Sequence, residues 1–118
     1  MTNKLSKDNT INLEDFRVRE GQRVSKVFTG RDRGKYVREN SKIDEIEAKY
    51  NAINIVIPDN VYSINPSFFE EFLVNVVRKL GKEAFLNKFK FTSEGDYEFE
   101  GPLNQAVDRI LKNQTALD

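Results

Sequence analysis

The segment from Phe68 to Leu80 constrains the fold more than any other. Phe68, Phe69, Phe72, Leu73, Val76, Val77 and Leu80 recur at helical spacing, while Glu70, Glu71, Asn75, Arg78 and Lys79 fill the opposite side. Asn65-Pro66 supplies a helix start, with Asn as the cap and Pro in the first turn, and Gly81 supplies a stop. So wide an apolar stripe must be buried against another layer. A second layer stands just upstream. Ile53-Asn54-Ile55-Val56-Ile57 is β-branched and nearly continuous, ends at Pro58, and reads as the central strand of a sheet. A strand under a core helix predicts a small sheet covered by helices, an α/β or α+β arrangement.

The remaining segments fit around that pair. Ile11–Phe16 alternates apart from its Glu-Asp step and reads as a strand, a candidate edge by position. Gly21 breaks the chain before a hairpin partner at Arg23–Phe28. Thr29-Gly30-Arg31-Asp32 matches a capping box and predicts a helix to about Asn40. Ser41-Lys42-Ile43-Asp44 repeats it before a short helix to Tyr50. Lys82–Lys88 reads as a short helix, and Phe89-Lys90-Phe91 and Tyr97-Glu98-Phe99 alternate like strands around the turn Ser93-Glu94-Gly95-Asp96. Gly101-Pro102 opens a last helix with Leu103, Ala106, Val107, Ile110 and Leu111 on one face. The 118 residues make one domain over residues 11–112, with a polar, disordered tail expected at 1–10 and a frayed end at 113–118.

Composition removes several chemistries. The chain has no Cys and no His, so disulfides, thiolate metal sites, cysteine nucleophiles and the commonest general base are all unavailable. Neither a Gly-x-x-x-x-Gly-Lys-Ser/Thr loop nor a Gly-x-Gly-x-x-Gly motif occurs. Glu94, Asp96, Glu98 and Glu100 lack the register of a calcium loop, and adjacent Glu70 and Glu71 diverge on a helix, so neither group forms an acid/base pair or a metal site. No enzymatic activity, metal or cofactor is expected. The opening Met1-Thr2-Asn3-Lys4-Leu5 lacks the apolar centre of a signal peptide and no run is long enough to cross a membrane, so the expected location is cytoplasmic.

The formal net charge of zero conceals a lopsided chain. Residues 17–42 carry nine basic and three acidic groups, a net of +6, whereas residues 43–118 carry eight and thirteen, a net of −5. Arg23, Arg31, Arg33 and Arg38 are therefore candidates for an anion, nucleotide or nucleic-acid site. The bland alternative is a solvated hairpin and helix whose charges pair with the acidic half.

Gly21-Gln22-Arg23, Phe28-Thr29-Gly30 with Arg38 downstream, and Tyr62-Ser63-Ile64-Asn65-Pro66-Ser67-Phe68-Phe69-Glu70-Glu71-Phe72 together resemble the bacterial STAS-like domain family, whose function is unknown. That family is related to the sulfate-transporter and anti-sigma-factor-antagonist domain, and the resemblance covers roughly Ile11 to Leu111. It implies a four- to five-stranded mixed sheet with helices packed mainly on one face. It also implies a non-catalytic regulatory domain, bacterial or phage, that binds a protein partner through the strand-to-helix turn. The partner it implies is an ATP-binding regulator related to histidine-kinase ATPases.

In antagonists of this kind that turn carries a phosphorylated Ser within an apolar-Asp-Ser-Ser-Gly motif. Here Asn65 stands for Asp, Pro66 for the first Ser and Phe68 for Gly, while Ser67 matches the second Ser. The usual acceptor is thus replaced, leaving Ser67 and Ser63 as candidate phosphoacceptors. Tyr62, Ser63, Asn65 and Ser67, joined by Arg23 and Arg38, form the expected partner-binding surface. The alternative is a nucleic-acid or nucleotide-binding regulator that uses the basic 17–42 segment. Asn65 as a plain helix cap and Ser67 as a residue satisfying local amides are the bland readings.

Overall fold

Strand β5 (Ile53–Ile57) sits at the centre of a three-stranded parallel sheet, between β1 (Thr10–Asn12) and β7 (Phe89–Ser93). The computed structural model describes residues 5–117, with side chains through residue 113. Ile11, Ile53, Ile55, Ile57 and Phe89 turn to one face and are buried. The other face carries Thr10, Asn12, Asn54, Val56, Lys90 and Thr92. One face therefore belongs to the core and the other is largely polar.

Helix α3 (Pro66–Leu80) fills the apolar side as its stripe requires. Phe68, Phe69, Phe72, Leu73 and Val77 are fully buried, each burial contributing about 1.5–3 kcal/mol. Their rings join a chain of aromatic contacts: Phe28–Phe68 at 5.3 Å, Phe69–Phe91 at 6.3 Å and Phe85–Phe89 at 4.8 Å between centroids. Asn65 caps the helix by accepting the Ser67 amide at 2.9 Å, Pro66 opens it, and Gly81 ends it at φ 81°. Helix α1 (Arg31–Ser41) and α5 (Glu100–Leu117) pack along its two sides. The short helices α2 (Ile43–Lys49) and α4 (Lys82–Lys88) complete the layer.

The sheet is smaller than the four to five mixed strands expected. Its three strands are all parallel, and the other four form two ribbons. Strands β2 (Arg19–Glu20) and β3 (Arg23–Val24) make an antiparallel hairpin around Gly21, while β4 (Val27–Phe28) and β6 (Ser63–Ile64) pair in parallel. Local side-chain bonds explain the shortfall. The Asn12 carboxamide accepts the Glu14 amide at 3.0 Å and turns Leu13–Phe16 into a 3-10 helix, so the strand read over Ile11–Phe16 stops early. Ser25 divides the strand read over Arg23–Phe28, its hydroxyl bonding Val27 N and O at 3.3 and 3.0 Å. Tyr97–Phe99 is not a strand; the Tyr97 hydroxyl alone reaches the β6 main chain, accepting from Ile64 N at 3.0 Å.

Other boundaries move as well. Neither expected capping box forms. Gly30 caps α1 at φ 89° without a side-chain bond, and Lys42 at φ 62° makes the α1–α2 break. The tail assigned to residues 1–10 is ordered from Ser6: Lys7–Asn9 is a 3-10 turn, and the buried Asn9 carboxamide donates to Ala52 O at 2.8 Å. Residues 1–4 of that tail lie outside the described residues. At the other end α5 is helical through Leu117, where fraying from residue 113 was expected.

Glu47 ties three helices together. It lies on α2 with its side chain 4% exposed, and it receives Lys79 of α3 and Lys88 of α4, each at 2.6 Å. Burial alone would raise its carboxyl, but hydrogen bonds and charge from Lys79 and Lys88 outweigh that and hold it below its ordinary 4.5. A carboxyl lowered on folding stabilises fully above its unfolded value, and that contribution is lost as pH falls through the folded value. Urea denaturation should therefore show a loss of stability on acidification through the carboxylate range. Glu47→Gln should flatten that loss and cost about 1–3 kcal/mol at neutral pH, a range reduced because Lys79 is 58% exposed.

Candidate functional site

The turn from β5 to α3 is built as a scaffold with one side chain left over. Pro58 ends β5, Asn60 takes a left-handed conformation at φ 58°, and the chain then enters β6. The Tyr62 amide donates to Lys26 O at 2.7 Å and the Asn65 amide to Phe28 O at 2.9 Å, which holds β6 against β4. On the other side Tyr97 accepts from Ile64 N at 3.0 Å and donates to Ile64 O at 3.3 Å. Val61 and Ile64 are buried below. Tyr62, by contrast, is 68% exposed.

A groove of about 680 Å³ runs beside this ring, lined by Asn60, Val61, Tyr62, Asp96, Tyr97 and Glu98. Lys26 places its ammonium 4.8 Å from the Tyr62 ring centroid and 3.4 Å from its hydroxyl. Val27, which follows Lys26 and opens β4, is exposed and pairs with the exposed Ser63. The result is an apolar and aromatic patch with a cation on one side and carboxylates on the other. Exposed tyrosines of this kind anchor protein interfaces, with charged groups kept to the rim.

The other expected residues separate from this patch or acquire structural roles. Asn65 accepts both the amide and the hydroxyl of Ser67 at 2.9 Å, so the two satisfy one another as a helix cap. Ser63 is exposed, and Ser67 is half-buried. Arg23 lies on β3 in a different, smaller depression with Val18, Glu20, Val24 and Ser25. Arg38 is 14% exposed and donates through Nη1 both to Glu71 O and to the Glu71 carboxylate, the latter at 3.2 Å. It fastens α1 to α3 and is absent from the turn.

The basic segment is likewise partly neutralised. Arg31 faces Glu70 at 3.6 Å and Glu71 at 3.8 Å, and Arg33 lies over the Tyr36 ring at 4.5 Å. Those two arginines share a groove of about 570 Å³ with Thr29, Gly30, Asp32 and Tyr36, without Arg23 or Arg38. The four arginines proposed for an anion site therefore do not converge. Among the described residues, no group of three or more acidic side chains is arranged to hold a metal ion, and no helix is long and apolar enough to cross a membrane.

Two residues escaped sequence reading. Lys26 was one cation among nine in its run, and only the parallel β4–β6 pairing places it on Tyr62. Arg17 was another, yet its side chain is 3% exposed and fully bonded. Its guanidinium donates to Ser25 O at 3.0 and 2.8 Å, to Asp59 O at 3.1 Å, to Asn60 O at 3.0 Å and to Glu14 at 3.3 Å. It thereby binds the β5–β6 turn to the β3–β4 connection. No local sequence signal distinguishes such a residue from a surface arginine.

Compared with protein-family models, curated proteins and solved structures, the chain finds no match. The STAS-like resemblance consequently rests on the sequence motifs alone, and the three-stranded sheet departs from the architecture it implies.

The two tyrosine and arginine roles separate in a stability measurement. Arg17→Ala leaves three carbonyls without their donor and should cost about 2–4 kcal/mol in urea denaturation. Tyr62→Ala should change stability by less than about 1 kcal/mol, since it removes only an exposed ring and its contact with Lys26.

Proposed function

We propose that this protein is a non-catalytic, cytoplasmic regulatory domain that binds a protein partner through the β6–α3 turn. The observation that carries this reading is the exposed Tyr62 ring on a main chain fixed from both sides by β4 and Tyr97. A rigid backbone that presents a large aromatic to solvent loses little entropy when the ring is covered. Lys26, Val27 and Ser63 extend the patch, and Asp96 and Glu98 supply a polar rim. Arg23 and Arg38, expected at this surface, are left out of it. The STAS-like resemblance suggests an ATP-binding regulator related to histidine-kinase ATPases as the partner. Of the two candidate serines, Ser67 matches the motif but is half-buried, and the exposed Ser63 is the better placed for modification.

The nucleic-acid alternative draws less support from the geometry. Arg31 and Arg38 face Glu70 and Glu71, so an incoming phosphate would have to displace carboxylates from both. Binding of that kind would also weaken steeply with added salt.

Affinity capture from the native host with wild-type and Tyr62→Ala baits, read by mass spectrometry, tests the proposal. A stoichiometric protein retained by wild type and lost by Tyr62→Ala is expected, with Arg23→Glu and Arg38→Met retaining it. Prey that survives Tyr62→Ala, or that disappears on nuclease treatment, would overturn it.

A further inference from the structure

Every free strand edge is a row of unpaired N–H and C=O groups that invites another strand. Several edges among the described residues are short or closed from within. Strand β1 is three residues long and lies between two 3-10 turns. The Ser25 hydroxyl occupies the outer side of β4 at Val27, and the Tyr97 hydroxyl occupies that of β6 at Ile64.

Strand β7 differs. Its five residues pair with β5 in unbroken register and contain no proline. The Glu94 amide donates to Ile57 O at 2.8 Å, which sets the phase of the ladder. Residues 90, 92 and 94 turn their main-chain groups toward β5, and residues 91 and 93 turn theirs away. Phe89 shares the outward phase, and its N–H is taken by Phe85 O as the α4 cap. The chain leaving β7 turns toward the core side of the sheet: Gly95 packs on Asp59, Tyr97 reaches Ile64 on β6, and Phe99 returns to stack on the Phe91 ring at 5.8 Å, a side-chain contact that uses no main-chain group of β7. Phe91 and Ser93 thus present main-chain groups without a main-chain partner among the described residues.

We infer that β7 pairs antiparallel with β7 of a second copy of this chain, making a six-stranded sheet across a two-fold axis at Thr92. That register is selected by the residues themselves. It sets Phe91 opposite Ser93 of the second copy, and the reverse, so each such pair exchanges two main-chain bonds and uses the groups left open. It sets Lys90 directly opposite Glu94 of the second copy, twice by symmetry. Neither Lys90 nor Glu94 has an ion-pair partner among the described residues of its own chain. A two-fold at Lys90 instead would oppose like charges, and one at Phe91 would spend a pairing position on Phe89, whose N–H is already bonded. The edge is therefore self-complementary in both hydrogen bonding and charge, which an isologous interface requires.

Sedimentation equilibrium on the full chain tests the inference, with circular dichroism confirming that each variant is folded. Wild type should show a concentration-dependent rise from the 13.7 kDa chain mass to twice that value. Lys90→Glu and Glu94→Lys each place like charges opposite one another and should weaken the dimer by about tenfold. The double variant Lys90→Glu/Glu94→Lys should restore it. Ser93→Pro removes an outward N–H, leaves the β5 ladder intact and should also weaken it. A chain mass at every concentration up to the solubility limit would overturn the inference. So would a dimer indifferent to the single charge reversals.

Discussion

Helix α1 reaches the core helix so closely that only glycine fits at the contact. A Cβ added to Gly34 would stand 2.5 Å from Phe68 O and 2.9 Å from Glu71 Cβ. This approach fixes the distance and phase of α1 on α3 and closes the core over Phe28, Val37 and Phe72. It also sets what the charged residues can do. With the two backbones this near, Arg38 reaches both the main chain and the carboxylate of Glu71, and Arg31 falls between Glu70 and Glu71. Arg109 of α5 meets Glu70 from the other side at 3.2 Å. The acidic positions of α3 thus receive cations from both neighbouring helices.

That arrangement separates structure from function among the polar residues. Part of the charge asymmetry is an internal matter of α1 against α3, through Arg31 and Arg38, and the arginines that suggested an anion site are dispersed. What remains available to a partner lies where the scaffold is satisfied without the side chain. Tyr62 is the clearest instance, since Val61, Ile64 and Tyr97 hold the turn and leave the ring outside. The β7 edge is a second instance, in main-chain groups instead of side chains. The turn belongs to the β4–β6 ribbon and the edge to the three-stranded sheet.

The parts of the fold legible in the sequence were those with a strong periodic or punctuating signal. The α3 stripe, its Asn65-Pro66 start and the central place of Ile53–Ile57 follow directly from spacing and β-branching. Short strands were not legible in the same way. Asn12, Ser25 and Tyr97 each use a side-chain oxygen where a longer strand would use main chain, and nothing in an alternating pattern announces that choice. The basic run was equally opaque. Gly34 falls within the helix read from Thr29 to about Asn40, but nothing in the sequence shows that the contact of α1 with α3 requires a glycine there. Arg17 and Arg38 take their roles from chain segments more than thirty residues away, at Asp59, Asn60 and Glu71.

The closeness of α1 to α3 is tested most directly by Gly34→Ala. In an exposed helix that exchange stabilises by about 1 kcal/mol. Here the added methyl meets the main chain of Phe68, and forced separation of packed helices costs about 1–3 kcal/mol. Urea denaturation should therefore give a lower midpoint for Gly34→Ala than for wild type, with α1 amides losing hydrogen-exchange protection first. An unchanged or higher midpoint would contradict the close contact and the arginine pairings that depend on it.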